Sequence, residues 1–369
     1  MGMLAFFPWL RIEKDATLGE FELVSFERGL RPSGAQSPQQ RVIDSILAPF
    51  ECAPDRSVNL ATLVRLDGRD LTDDLSEDER DRLFVFSKLV AFGGLARNEF
   101  CGLLPCCNAT DFTLLLQGFR QQADGTRITI RRRDRDEEIR VMEDAYRVRE
   151  PLYASHSSLP TKLDVALIEA LLSARGHQLW ECLRDAVEAF VRANSDNPEI
   201  APQSEVVDMV GAFERVLGVW GKDDLKKRFG DHFKPRSDIP LSNAPRIPPA
   251  RRNGPSLRRL WITDLYDLRN PPAHGNQSVQ GGCLWDRAEH LLLGAYAFPL
   301  LVKSLLSDAG RYCLTVGDQD AIDAFEWRAR PKEQLLLRDG SGQCAWKSAH
   351  LEFLREQARQ SLAKAVSAP

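Results

Sequence analysis

The residues Arg269-Asn270-Pro271-Pro272-Ala273-His274 place a permanent cation, an amide and a titratable imidazole in one short stretch. A guanidinium holds a phosphate through paired hydrogen bonds. An imidazole with an ordinary pKa near neutrality moves protons on and off oxygen at cellular pH. Together they suit metal-independent cleavage of RNA, in which the ribose 2′-hydroxyl attacks the adjacent phosphorus and leaves a 2′,3′-cyclic phosphate and a free 5′-hydroxyl. DNA lacks that nucleophile. In such a reaction His274 is general base or general acid, and Arg269 stabilises the charge that builds on the phosphoryl oxygens. Asn270 donates to phosphate or holds His274 in one tautomer. One histidine does not easily make both proton transfers, and a twofold dimer would bring a second motif to the same cleft.

Geometry constrains this reading. On an uninterrupted helix, residues five apart point about 140° away from each other, so Arg269 and His274 would not share a face. Pro271 biases Asn270 away from the helical basin, and neither proline supplies an amide hydrogen. The helix is therefore expected to end or kink near Arg269 and to let His274 swing back, with Gly275 permitting the turn that follows. Asp264 and Asp267 are placed to orient His274 or to pair with Arg258 or Arg259, and surface ion pairing is the simpler of the two.

The string R-N-x-x-x-H follows Leu257 to Leu268 (LRRLWITDLYDL) and resembles the Rx4H signature of the HEPN superfamily of helical domains. Tyr266-Asp267-Leu268-Arg269 ahead of the motif and His274-Gly275 closing it are similar to the HEPN domains of ApeA-type abortive-infection proteins. Asn194-Ser195-Asp196 and the segment Glu205 to Leu217 look like the earlier helix of that group. The resemblance covers about residues 160 to 308. It implies an all-α bundle with a dimeric, metal-independent ribonuclease site at Arg269, Asn270 and His274, no cofactor, and a setting in antiviral defence or toxin-like growth arrest.

The elements around the motif read as an α+β protein. An N-terminal mixed domain with a β-meander, residues 1–155, is followed by a HEPN-like helical bundle at 160–308 and a helical extension at 309–369. Phe21 to Phe26 and Leu60 to Leu66 read as strands. Ser76-x-x-Glu79 is a capping box opening a buried helix. Asp124-Gly125 suits a hairpin turn between Asp111–Arg120 and Thr126–Arg132, with Ile128 and Ile130 on an exposed-face strand and Ile139 to Arg149 continuing the meander. Proline and serine density at Pro151 to Pro160 marks a linker. Thr161 to Asp164 forms a second capping box, and Leu179 to Val191 repeats the helical period. Val206, Met209, Val210, Phe213, Val216, Leu217 and Trp220 then form one core-facing stripe. Pro235 to Pro255 is a loop, while Leu284 to Leu306 is a central helix and Ala349 to Ala365 an amphipathic one.

Composition limits the partners. The net charge of −4 argues against a surface that coats polyanions, so RNA must meet a local basic patch. Lys226, Lys227 and Arg228 form the better candidate, with Arg251 and Arg252 of the proline-rich loop able to deliver cations to the same cleft. Arg131-Arg132-Arg133 is neutralised by the acids that follow. No run approaches the length of apolar residues needed to span a bilayer and no signal peptide is read, so a cytoplasmic location without membrane contact is expected. The eight cysteines fit reduced thiols. Cys101, Cys106 and Cys107 cluster, but adjacent cysteines rarely share one tetrahedral ion and no CxxC pair or nearby histidine completes a set, so no metal site is expected. His156, His177, His290 and His350 read as structural.

Two other function classes stay open. The helical domain can be a non-catalytic module that dimerises and binds RNA or nucleotide while the N-terminal part senses a partner, or the chain can be a structural adaptor. Arg269 and His274 discriminate between them.

Overall fold

The computed structural model describes residues 2–28, 37–53, 56–97, 109–123, 125–131, 136–141, 147–149, 160–195, 197, 199–254, 256–273, 282–338 and 340–367. The chain divides into two compact units, one from residues 1–98, 108–173 and 195–197 and the other from 99–107, 174–194 and 198–369. Strands gather in the first and helices dominate the second, an α+β architecture.

The first unit runs β1 (Gly2–Phe7), β2 (Ala16–Leu18), β3 (Phe21–Glu27), α1 (Pro38–Leu47), β4 (Phe50–Ala53), β5 (Arg56–Ser57), β6 (Leu60–Leu66), α2 (Glu77–Leu95), β7 (Leu115–Gln122), β8 (Gly125–Arg131), β9 (Asp136–Arg140), β10 (Val148–Arg149) and α3 (Val165–Ser173). Seven strands form an antiparallel sheet in the order β2-β3-β6-β1-β7-β8-β9, and β10-β4-β5 form a smaller one. The apolar start of the chain is the central strand β1. Met3 to Phe7 are all buried, so the polar alternation that would mark a half-exposed strand is missing. The strands expected at Phe21 and Leu60 pair with each other from Phe21 opposite Leu66 to Glu27 opposite Leu60.

Several local expectations shift. Ser76 and Glu79 make both halves of the capping box that opens α2. In the β7–β8 hairpin Gln122 already pairs with Gly125, whose φ is +128°, so Gly125 belongs to the ladder; Asp124 lies outside the described residues. Ile128 faces the core and not solvent: α1 covers that side of the sheet, packing Val42, Ile43 and Ile46 into one cluster with it. The meander continues at Asp136, three residues earlier than expected. Asp164, not Thr161, caps α3, its Oδ1 accepting from the Leu167 amide at 3.3 Å, while Thr161 bridges to Ile12. Helix α3 packs on α2, where a Cβ on Gly93 would meet Ile168 at 2.5 Å. This contact draws residues 160–173 into the first unit and moves the boundary past Ser173.

The second unit contains α4 (Trp180–Ala193), α5 (Pro202–Leu217), α6 (Lys222–His232), α7 (Leu257–Ala273), α8 (Arg287–Asp308), α9 (Val316–Ala329) and α10 (Ala345–Ser367). Aromatic side chains from six of these helices interlock at its centre. Phe190 stacks on Phe298 at 4.7 Å, Phe213 meets Phe298, Phe229 and Trp261 edge-on, and Phe325 closes on Trp261 at 5.1 Å. Such pairs contribute roughly 0.5–1.5 kcal/mol each beyond the area they bury. Helix α8 is the hub, touching α4, α5, α6 and α9. Residues 309–369 are no separate extension, since α9 packs on α7 and α8 and α10 packs on α9. By length and hydropathy alone α8 passes as a membrane span, contrary to expectation, but 83% of its apolar window is buried inside the protein, as a core helix would be. The Pro235–Pro255 loop carries short 3₁₀ turns at Leu241–Asn243 and Pro249–Arg251.

Candidate active site at the end of helix α7

Helix α7 forms because Leu257, Trp261, Ile262 and Leu265 recur at helical spacing and are all fully buried. It does not end at Arg269. The helix runs on through Pro271 and Pro272 to Ala273. Proline's fixed φ suits a helix; its penalty is the lost N–H bond to the carbonyl four residues back, here those of Asp267 and Leu268. The packing of the preceding turns of α7 on α5, α6 and α9 outweighs two such losses near a helix terminus. Arg269 is therefore a helical residue, and the described part of α7 continues beyond it to Ala273. His274 and the side chain of Asn270 lie outside the described residues, as do Cys101, Cys106, Cys107, Arg132, Arg133 and most of the 151–160 linker.

Arg269 is held from two sides. Its Nη1 donates to Glu214 Oε1 at 3.1 Å, and its guanidinium lies over the Tyr266 ring at 5.3 Å. The Glu214 side chain is 3% exposed and that of Arg269 is 24% exposed, so the carboxylate is buried and the cation reaches toward the surface. Arg269 Nε is buried and makes no hydrogen bond among the described residues. Sequence reading missed Glu214. Its one signal is a carboxylate beside the apolar stripe of α5, where a charge needs a partner.

The acids of α7 have other tasks than orienting a histidine of the motif. Asp264 is buried, and its Oδ2 accepts from the amides of Leu284 and Trp285 at 2.7 and 3.3 Å and faces His290 Nε2 at 3.2 Å. This cluster ties the start of α8 to the middle of α7. His290, structural as expected, has no solvent exposure and sits between Trp261 and Trp285. Asp267 binds Lys222 of α6 at 2.7 Å. Arg258 pairs with Asp238 and, at 3.0 Å, with Glu326, while Arg259 pairs with Asp231 at 3.0 Å. Burial, with Asp264 and Asp267 nearby, pushes the Cys283 thiol up to about 11, so it is a poor nucleophile near neutrality.

The basic candidates divide. Lys227 and Arg228 are exposed on α6 and Lys226 is half-buried there, sharing the helix with Asp223, Asp224 and Asp231. Arg251 is exposed. Arg252 is exposed as well, its Nε bonded to the Ile247 carbonyl at 3.1 Å. Arg246 of the same loop is buried, clamped to both oxygens of Glu289 at 2.7 Å and to three backbone carbonyls. It closes the loop onto the start of α8 and offers nothing to a ligand.

Trp220 corrects the stripe expected on α5. The helix stops at Leu217, Gly218 takes the left-handed conformation at φ +62°, and Trp220 stands 74% exposed in the turn before α6. Two concavities among the described residues have linings that include no residue of α7. One, of about 880 Å³, opens beside α9 and α10 between Asp320, Trp327, Phe353 and Gln357, and its cations Arg236 and Arg330 are already paired with carboxylates. Among the described residues no cluster of histidine, cysteine and carboxylate side chains could hold a metal ion. Comparison with protein-family models, with curated proteins and with solved structures finds no match to this chain.

Proposed function

We propose that the chain is a HEPN-type, metal-independent endoribonuclease, a toxin-like or antiviral effector that acts in the cytoplasm on RNA as a homodimer, its N-terminal unit sensing an unidentified partner. The observation that carries the reading is the string Tyr266-Asp267-Leu268-Arg269-Asn270 closed by His274-Gly275 on a helix with one buried face. One feature supports it: the Arg269 side chain is 24% exposed, so part of the guanidinium is open to solvent.

In the proposed reaction His274 takes the proton of the 2′-hydroxyl or gives one to the departing 5′-oxygen. The partner subunit's His274 makes the opposite transfer. Arg269 binds the phosphoryl oxygens through the guanidinium edge turned from Glu214, and the buried carboxylate fixes that edge in one orientation before the substrate arrives. Asn270 donates to the same phosphate or to His274. Lys226, Lys227, Arg228, Arg251 and Arg252 would contact the flanking backbone.

The test is cleavage of single-stranded RNA in the presence of a chelator by wild type and His274→Ala. Loss of a general acid or base predicts a drop of about 10²- to 10⁴-fold, with wild-type products ending in 2′,3′-cyclic phosphate. Cleavage by His274→Ala at the wild-type rate overturns the proposal. A second reading is favoured by the Arg269 contacts themselves: an arginine shared between a buried glutamate and a tyrosine ring is what a structural residue does. The domain is then a non-catalytic module that dimerises and binds RNA or nucleotide. It predicts that RNA is retained at low salt and left intact by both proteins.

A further inference from the structure

We infer that Trp220 is a stacking platform for an unpaired base of the RNA strand whose phosphate Arg269 holds; the identity of this ligand rests on the ribonuclease reading. At 74% exposure the indole forgoes a burial that is among the largest any side chain can gain, in a turn where a polar residue would serve as well.

Backbone hydrogen bonds hold the turn on both sides of the ring. The Gly218 amide donates to Arg215 and Glu214 carbonyls, and the Val219 amide to the Glu214 carbonyl at 3.0 Å. Val219 is buried, and the Leu225 amide returns to the Gly221 carbonyl at 3.0 Å. Trp220 is thus fixed between two buried anchors.

The same turn is bolted to the motif helix at both of its ends. Glu214, whose carbonyl closes the turn, binds Arg269 through its carboxylate. Lys222, two residues beyond Trp220, binds Asp267. Two trans peptides span at most about 7.6 Å between Cα atoms, so the Trp220 backbone lies that close to Lys222, the residue whose side chain grips α7. The exposed cations Lys227 and Arg228 follow on the helix that the turn introduces. An accessible aromatic face beside backbone-binding cations is the arrangement by which proteins hold single strands, and it reads no sequence because every base has a π face. Duplex RNA keeps its bases stacked inside and offers this ring nothing.

The test measures binding apart from cleavage, using a labelled 2′-O-methyl oligoribonucleotide, which lacks the attacking hydroxyl and stays intact. Anisotropy titrations at low salt compare wild type, Trp220→Ala and Trp220→Phe. Loss of one stacked base predicts binding weaker by about five- to a hundredfold in Trp220→Ala, with Trp220→Phe near wild type because it keeps a ring. Folding is not at risk at so exposed a position. Unchanged affinity in Trp220→Ala, equal losses in both variants, or no binding by wild type each overturns the inference, as does a Trp220→Ala effect confined to oligomeric state, which would assign the ring to a protein interface. The ribonuclease reading is judged separately, by His274→Ala on cleavable RNA.

Discussion

Arg269 has two duties that a simple alanine test would confuse. Its partner Glu214 is buried, and removing one member of a buried ion pair leaves an uncompensated charge. Arg269→Ala is therefore expected to destabilise the second unit by about 3 kcal/mol, whatever its effect on RNA. Pairing it with Glu214→Leu should recover part of that loss, because the stranded carboxylate is gone. Urea unfolding of the two single variants and the double variant checks this. Strictly additive losses would mean that the contact carries no coupling energy. Nuclease assays on Arg269 variants are thus interpretable only beside their stability, and His274 is the cleaner probe.

At the scale of elements, glycine marks where helices come too close for a side chain. In α2 a Cβ on Gly94 would sit 2.1 Å from the tip of the Phe112 ring, and Phe112 is itself buried. A ring wedged in a core cannot yield as a flexible chain end does. Gly94→Ala should lower stability by about 1–3 kcal/mol despite alanine's better helix propensity. At Gly294 the neighbour is Met209, at 2.8 Å, and methionine adapts. Thermal melts should rank Gly94→Ala well below Gly294→Ala; the reverse order would show that the Phe112 contact is soft. Strands β3 and β6, helices α4 and α5 and the cap of α2 were legible beforehand because apolar period and capping residues are properties of a few neighbouring positions. The course of α7 past Arg269 was not, since local proline rules were overridden by packing along the rest of the helix.

At the scale of the whole molecule, buried carboxylates set the response to acid. Burial alone would raise the pKa of Asp318, yet hydrogen bonds from Lys303 and Thr315 prevail and hold it below its usual range. Glu79 of the first unit is held low by Ser76 and Arg69. A depressed pKa contributes stability above the unfolded value and loses it as pH falls through the folded one, so both units should weaken below about pH 4. Burial raises Glu326 instead, a term of opposite sign that favours the fold at the acid end and fades as pH rises. Asp318→Asn should cost about 2 kcal/mol near neutrality and give a shallower acid limb than wild type. Denaturation followed from pH 7 to pH 3 measures both, and parallel limbs would remove Asp318 from the account.

The amino-acid sequence by itself determined the α+β composition, most helix and strand positions and the chemical kit of Arg269, Asn270 and His274, because each rests on residue type and spacing over a turn or two of chain. Only the tertiary structure decided that Arg269 leans on Glu214, 55 residues away, that Asp264 serves His290 and the start of α8, that Arg246 is locked in a loop closure, and that the apolar N-terminus is the middle of a sheet. It also turned Trp220 outward from a stripe that periodicity had drawn inward. The physical reason is common to all of these. A buried charge or an exposed ring is defined by what the rest of the chain packs against it, and that partner is chosen by the fold.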